Sequence, residues 1–207
     1  MKKISIICPL YNEEASIEPF YKNLCSILKK IKNYKFEILF SNNCSNDNSL
    51  NIIKSLMKKD KRIRILSLSR NFGYQISLLA ALNHVDTDAS IIIDVDNEDP
   101  PELISEFLKF YSKGYKVVYG QRKKREEFFL ITLFRKFFYR FTKLIADYRF
   151  YLDMAEFSLL SSDVIQSIKN NKSSYPFIRN EIAYAGFKVM PIAYNRNKRL
   201  IGKSNYN

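Results

Sequence analysis

The run SIIIDVDNEDPPE, residues 90–102, is the stretch on which the fold turns. Its first part, Ser90 to Asp94, is a short apolar run, the pattern of a strand buried on both faces. Its second part is acidic: Asp94, Asp96 and Glu98 alternate, Asp99 stands beside Glu98, and Pro100 and Pro101 open a run of helical spacing. An apolar strand that ends in carboxylates and passes straight into a helix is a strand–loop–helix joint of a parallel α/β sheet. Carboxylates crowded in this way repel one another unless a positive charge lies between them. A divalent cation carrying a phosphorylated ligand meets that need, since hard oxygen donors suit Mg²⁺ or Mn²⁺. The same residues also suit a solvated acidic turn, because Pro is favoured at the first helical position and acids at a helix N-terminus. Spacing alone leaves both readings open.

Outward from this run the chain alternates strand and helix patterns. Ile4 to Cys8 is an apolar run ended by Pro9, and Glu13 to Ile31 carries apolar residues at helical spacing. Phe36 to Phe40 reads as a second strand closed by the polar cluster SNNCSNDNS, with a helical pattern on to Met57. Ile63 to Leu68 is a third strand with SRNFG as its loop, and a helix from about Tyr74 to Val85 leads to the fourth strand. A helix from Pro101 to Tyr111 and a fifth strand, Lys116 to Tyr119, follow. The pattern predicts an α/β fold with a Rossmann-like, mostly parallel sheet flanked by helices, whose ligands bind beyond the carboxyl ends of the strands. Four polar loops, residues 9–14, 41–49, 69–73 and 94–99, fall at those ends. Beyond Gly120 come a basic stretch, an aromatic helix and, from about Asp153, a mixed tail without tidy alternation.

The 207 residues, 46% of them hydrophobic, suffice for one sizeable core, and the net charge of +13 predicts an anionic partner. Nucleic acid, a membrane surface and phosphorylated substrates all qualify by charge. No nucleic-acid-binding motif is present, and the acidic run would repel a bare phosphate backbone, so nucleic acid is not expected. Cys8, Cys25 and Cys44 form no CxxC pair, which argues against disulfides and a cysteine zinc site and for a reducing compartment. His84, the only histidine, falls in a helix and reads as structural. The N-terminus lacks a secretory signal, and no uncharged apolar stretch is long enough to span a bilayer.

Residues 128–146 read as an amphipathic helix. At about 100° per residue, Thr132, Arg135, Lys136, Tyr139, Arg140 and Lys143 share one side. Leu130, Ile131, Leu133, Phe134, Phe137, Phe138, Phe141, Leu144 and Ile145 share the other. A cationic face opposite an aromatic one fits a helix lying in a bilayer interface, where each cation contributes on the order of 1 kcal/mol near anionic lipid. The same face also suits packing on the sheet or on a second copy of the chain, as a homo-oligomer.

In order, these segments resemble family 2 glycosyltransferases, and more narrowly the polyprenyl-phosphate sugar transferases, which include dolichol-phosphate mannose synthase and the bactoprenol glucosyltransferases. ICPLYNEE (residues 7–14) resembles the opening nucleotide-binding strand and loop, and SNNCSNDNS stands where the family has a DDGSxDxT-like loop. SRNFGYQ resembles SRNFGxQ, DVDNEDPPE resembles the metal-binding DxDxQDPPE, and YGQRKKR resembles a GxRxxR segment. FFYR (residues 137–140) follows as in the family, and RLIGKSNY (residues 199–206) resembles the closing RxxGxSKY.

The resemblance implies a GT-A fold, a nucleotide-sugar donor, a divalent metal (Mg or Mn) and a lipid-phosphate acceptor. Pro9, Tyr11, Asn12, Glu13, Asn42, Asn43 and Asp94 would line the nucleotide, and Asp94, Asp96 and Glu98 would hold the metal. Arg122, Arg135, Arg199 and Ser204 would bind phosphate or acceptor groups. Asp96 and Glu156 would be catalytic, Glu156 positioning the acceptor or acting as base, with Asp153 its nearest competitor. Residues 1–122 would form the nucleotide-sugar and metal half and residues 123–207 the acceptor side of one GT-A domain. Asn42 and Asn43 replace the family's acidic pair, keeping hydrogen-bonding capacity without charge. Glu156 stands for an Asp and Ser158 for an Arg of a DFRLL-like segment. Relatives continue into transmembrane helices just after the closing motif. The implied protein is a metal-dependent inverting transferase on the cytoplasmic face of the membrane, peripheral or anchored. A family 2 enzyme acting on a glycan acceptor is one alternative, and an inactive nucleotide-sugar or membrane-binding module is another.

Overall fold

The structure, a computed structural model, describes residues 1–123, 154–171 and 176–197. Four strands, β1 (Lys2–Leu10), β2 (Tyr34–Asn42), β3 (Ile63–Ser67) and β4 (Ala89–Ile92), alternate with α1 (Glu14–Leu28), α2 (Ser49–Lys59) and α3 (Tyr74–Asn83). A 3₁₀ turn (Pro101–Leu103) opens α4 (Ile104–Ser112), which feeds β5 (Val117–Arg122). The stretch read as an irregular tail holds β6 (Met154–Ser161), α5 (Ser162–Asn170), α6 (Ile178–Tyr184) and β7 (Val189–Tyr194). All seven strands join one sheet in the order β3-β2-β1-β4-β6-β5-β7. Among the described residues, only β6 runs antiparallel to its neighbours, β4 and β5. The expected mostly parallel sheet is therefore present, with one reversed strand. β6 escapes a search for alternation because all of it except Glu156 is buried.

The core lies on both faces of the sheet. Ile4, Ile6, Ile38, Phe40, Ile91 and Phe157 point to the side covered by Phe20 and Leu24 of α1, Ile53 of α2 and Phe107 of α4. Ile7, Leu39, Ile92 and Leu160 point to the other, covered by Leu78 and Leu82 of α3, Val164 and Ile168 of α5 and Ile182 of α6. This two-sided burial is why the strands read as continuous apolar runs.

Among the boundaries that differ from the sequence reading, two meet at Pro9. β1 does not end before Pro9 but runs to Leu10, still paired with β2. On its other side, Ile93 N–H donates to Ile7 O at 3.0 Å, and the next bond of a parallel ladder needs an N–H from residue 9. Proline has none. The β1–β4 pairing stops at Ile7 and Ile92, so Asp94 lies in the loop rather than the strand. The ladder between the central strands thus ends at the rim where the polar loops gather.

Candidate active site

The reversed strand brings a second carboxylate segment to this rim. Ile92 pairs with Ser158, and the same register carried two residues further sets Glu156 beside Asp94. Tyr74 Oη donates to Asp94 Oδ1 at 2.9 Å. Burial, reinforced by the negative charges of Asp96 and Asp99, nevertheless pushes the Asp94 carboxyl up from 3.8 to about 8, with Glu156 adding a smaller push. Negative charge gathered here is not fully compensated.

The acidic loop turns tightly. Asn97 takes a left-handed backbone (φ 61°), and Glu98 N–H donates to Asp96 Oδ1 at 3.0 Å. The loop's cations come from β5 and from the residues after β7. Arg196 Nη1 lies 2.6 Å from Glu98 Oε2, Nη2 lies 3.5 Å from Asp96 Oδ2, and Nε lies 3.9 Å from Asp99 Oδ1. Arg122 Nη2 is 4.0 Å from Asp99 Oδ1 and its Nε 3.3 Å from Tyr194 Oη. Tyr194 donates its hydroxyl to buried Asp99. Its ring passes where a side chain at position 120 would sit: a Cβ on Gly120 would meet Tyr194 Cε1 at 2.6 Å. Burial raises the Asp99 carboxyl, while Tyr194, Arg122 and Arg196 work against the shift.

Among the described residues, no three His, Cys, Asp or Glu side chains are gathered so as to hold a metal. The donor set nonetheless fits a hard divalent cation, being all carboxylate oxygen. Asp99 Oδ2 is buried without a hydrogen-bond partner. Asp94, Asp96 and Glu98 are the side chains that would hold such an ion.

Glu156 is fixed from two helices. Gln75 Nε2 donates to its Oε1 at 3.0 Å and Arg179 Nε to the same oxygen at 2.7 Å. Gln75 Oε1 in turn accepts from Ile178 N–H at 2.9 Å, and Arg179 Nη1 donates to Met154 O at 3.0 Å. The carboxylate is thus oriented by a guanidinium and an amide that are themselves anchored. Ser158 lies buried on the same strand, its hydroxyl donating to Glu156 O at 2.9 Å.

The loops after β1 and β2 are joined largely by neutral hydrogen bonds, with the Asp47 and Glu14 carboxylates also accepting from Glu14 N–H (3.0 Å) and Asn48 N–H (2.8 Å). Asn42 Oδ1 accepts from Ser45 N–H (3.0 Å) and its Nδ2 donates to Ser67 Oγ (3.1 Å). Asn43 Oδ1 accepts from Phe72 N–H (3.0 Å) and its Nδ2 donates to Asn71 Oδ1 (2.7 Å). Asn12 N–H donates to Ser45 Oγ (3.0 Å), and Asn12 Oδ1 accepts from Asn46 N–H (2.8 Å). Glu13 N–H donates to Ser49 Oγ (3.0 Å), and the Glu13 carboxylate accepts from Ser16 Oγ. Asn42 and Asn43 are buried, so each amide ties one loop to another.

Pro9, Tyr11, Asn12, Glu13, Asn42, Asn43, Asp94, Asp96, Glu98, Arg122 and Glu156 all belong to the elements and loops of this rim. Arg135, Arg199, Ser204, Asp153 and the helix over residues 128–146 lie outside the described residues. Sequence reasoning did not single out Tyr74, Gln75, Arg179, Tyr194 or Arg196. Tyr74 and Gln75 end the SRNFGYQ segment and were within reach of that motif. The other three stand in stretches with no periodic or motif signal.

The model for "Glycosyl transferase family 2" matches residues 5–168. The chain belongs to this family. An uncharacterised glycosyltransferase of Bacillus subtilis (strain 168), YkcC, is 36% identical over 98% of the chain and 62% of its own length. The prophage bactoprenol glucosyl transferase homolog of Escherichia coli (strain K12) is 32% identical over 99% of the chain and 67% of its own length. The chain therefore spans under two thirds of the Bacillus relative. Among solved structures, the mannosyltransferase PcManGT from Pyrobaculum calidifontis, in complex with GDP-Man and Mn²⁺, superposes with a TM-score of 0.67 at 15% identity, covering 99% of this chain and 59% of that one. The shared architecture is the GT-A fold. Among the described residues, no helix is long and apolar enough to cross a membrane.

Proposed function

We propose that the chain is the catalytic part of a metal-dependent, inverting glycosyltransferase that moves a sugar from a nucleoside-diphosphate sugar to a polyprenyl phosphate at the cytoplasmic face of the membrane. The observation that carries this reading is the pairing of β4 with reversed β6. It brings an anchored carboxylate, Glu156, beside the acidic loop that would receive the donor's diphosphate. The bactoprenol homolog, 32% identical, supports the acceptor class, and the solved relative with GDP-Man and Mn²⁺ supports the donor class and a divalent ion.

In this reading the rim at Pro9 takes the nucleoside, between loops locked by Asn12, Asn42 and Asn43. Asp94, Asp96 and Glu98 would hold Mg²⁺ or Mn²⁺, which supplies charge stabilisation to the leaving diphosphate. A phosphate oxygen of the acceptor attacks the anomeric carbon from the face opposite the leaving group. The new C–O bond forms as the old one breaks, and its electron pair leaves on the diphosphate. The acceptor phosphomonoester, with a second pKa near 6, is already largely ionised, so a strong base is not obligatory. Glu156, held by Gln75 and Arg179, orients the acceptor or takes its residual proton. Arg122 offsets the repulsion between two anionic reactants, a role Arg135, Arg199 and Ser204 would share. The cationic, aromatic pattern of residues 128–146 would lie on the bilayer where the acceptor resides.

Radiolabelled nucleotide sugars incubated with Mg²⁺ or Mn²⁺ and either polyprenyl phosphate or glycan acceptors test the proposal. Label is expected in the lipid phase. Label only in glycan would overturn the acceptor, and none in either would overturn the enzymatic reading.

A further inference from the structure

Arg196 lies among the carboxylates of the acidic loop. We infer that its guanidinium is the built-in counter-cation of the metal-binding oxygens. In the ligand-free chain it occupies the charge position that a divalent cation needs, so that ion and guanidinium compete. The inference rests on the reading of Asp96 and Glu98 as metal ligands.

Three observations carry it. First, one side chain reaches three carboxylates of the loop, Glu98 at 2.6 Å, Asp96 at 3.5 Å and Asp99 at 3.9 Å. Two of these are oxygens assigned to the metal. Second, the arginine is brought there by the backbone as well: Asn197 N–H donates to Glu98 O at 2.8 Å, pinning the segment after β7 to the acidic loop. A surface arm resting on the nearest acid would not need that tether. Third, the grip is incomplete. Arg196 Nε and Asp99 Oδ2 are both buried without a hydrogen-bond partner. A guanidinium satisfied at one end only is held firmly enough to order the loop, yet leaves charge for a second cation to satisfy. Arg122 does not fill this role, since the contacts of its guanidinium are to Tyr194 and Asp99 and not to Asp96 or Glu98.

A divalent ion draws carboxylate oxygens closer than a planar guanidinium does and carries twice its charge, but it must lose water and break the Arg196–Glu98 pair to enter. An incoming diphosphate offers the displaced guanidinium a bidentate partner of its own. Arg196 thereby disfavours capture of the cation alone and favours its uptake together with the anionic donor. A purely structural ion pair predicts the reverse: removing it would loosen the loop and weaken the ion.

Titration of the full chain with Mn²⁺ alone, read from the electron paramagnetic resonance signal of the free ion, separates the two. Arg196→Gln is expected to bind Mn²⁺ about tenfold more tightly than wild type, the size of one charged hydrogen bond. Arg196→Lys, which keeps the charge but loses the fork, is expected to fall between them, and thermal unfolding of each variant without metal checks that it is folded. Asp96→Asn is expected to abolish the binding in either background. Equal or weaker binding by both Arg196 variants overturns this inference alone. Absence of Mn²⁺ binding in every form overturns it together with the metal site of the proposed function.

Discussion

Two parts of the same rim are built on opposite principles. The loops after β1 and β2 are joined largely by amides, hydroxyls and backbone groups whose donors and acceptors match, as in the Asn43 clasp on Phe72 and Asn71, and the two carboxylates among them, Asp47 and Glu14, are met by backbone N–H groups. The corner formed by β4, β6 and the residues after β7 is joined by charges that do not fully match, with a raised Asp94 and an unpartnered Asp99 oxygen. A neutral, satisfied network holds its shape whether or not a ligand is present. A charged, incomplete one stores unfavourable interaction that a ligand relieves. In the proposed function, the first part would shape the donor site and the second would respond to what enters it.

The largest effect is expected at Glu156, where the charged corner reaches β6. Glu156→Gln should lower transfer by about 10²–10⁴-fold, the usual range for a positioned acid–base group. Unfolding in urea should move little, because Gln75 and Arg179 can still meet the amide oxygen. A large stability loss with modest loss of turnover would make Glu156 a structural residue and erase the contrast.

On the neutral side, Asn43→Ala strands Phe72 N–H and frees Asn71. It should cost about 2 kcal/mol in urea denaturation and leave Mn²⁺ affinity unchanged. Should Mn²⁺ affinity fall in step with stability, the two parts of the rim would be one unit.

A further effect concerns Asp94 and appears only as pH rises. Its carboxyl titrates at about 8 in the fold against an ordinary value of 3.8. A group with a raised folded value contributes stability below its unfolded value and loses it as pH rises through the folded one. The metal-free chain should therefore weaken between about pH 4 and pH 8 on this account. Asp94→Asn should remove that slope and raise the Tm near pH 8, while giving nothing near pH 4. Calorimetry at the two pH values, without metal, checks it.

The contrast also explains what the sequence disclosed. Alternating apolar runs revealed β1 to β5, because a buried parallel strand needs unbroken hydrophobic residues and a rim loop needs polar ones. DVDNEDPPE exposed the acidic loop, because four acids in six residues are conspicuous. The partners of those acids were not legible. Arg196 is one basic residue in the polar run NRNKR, and nothing local tells it apart from its neighbours. Arg179 meets Glu156 only because α6 folds back to the start of β6. Tyr194 depends on the space left by Gly120, far away in sequence. Asn42 and Asn43 were read for their missing charge. The structure shows what their amides do instead, which is to fasten loops that the sequence lists separately.

The single reversed strand has a consequence for how this enzyme family could drift. Because β6 enters the sheet at the rim, Glu156 is placed by counting from Ser158, its neighbour in the ladder opposite Ile92. Side chains alternate faces with each residue, so one residue gained or lost between Glu156 and Ser158 would turn the carboxylate away from Asp94 altogether. The meeting of the two carboxylate segments is therefore set in discrete steps. Substitution can tune it, as with Glu in place of Asp, but a length change inside this short stretch can only keep it or abolish it.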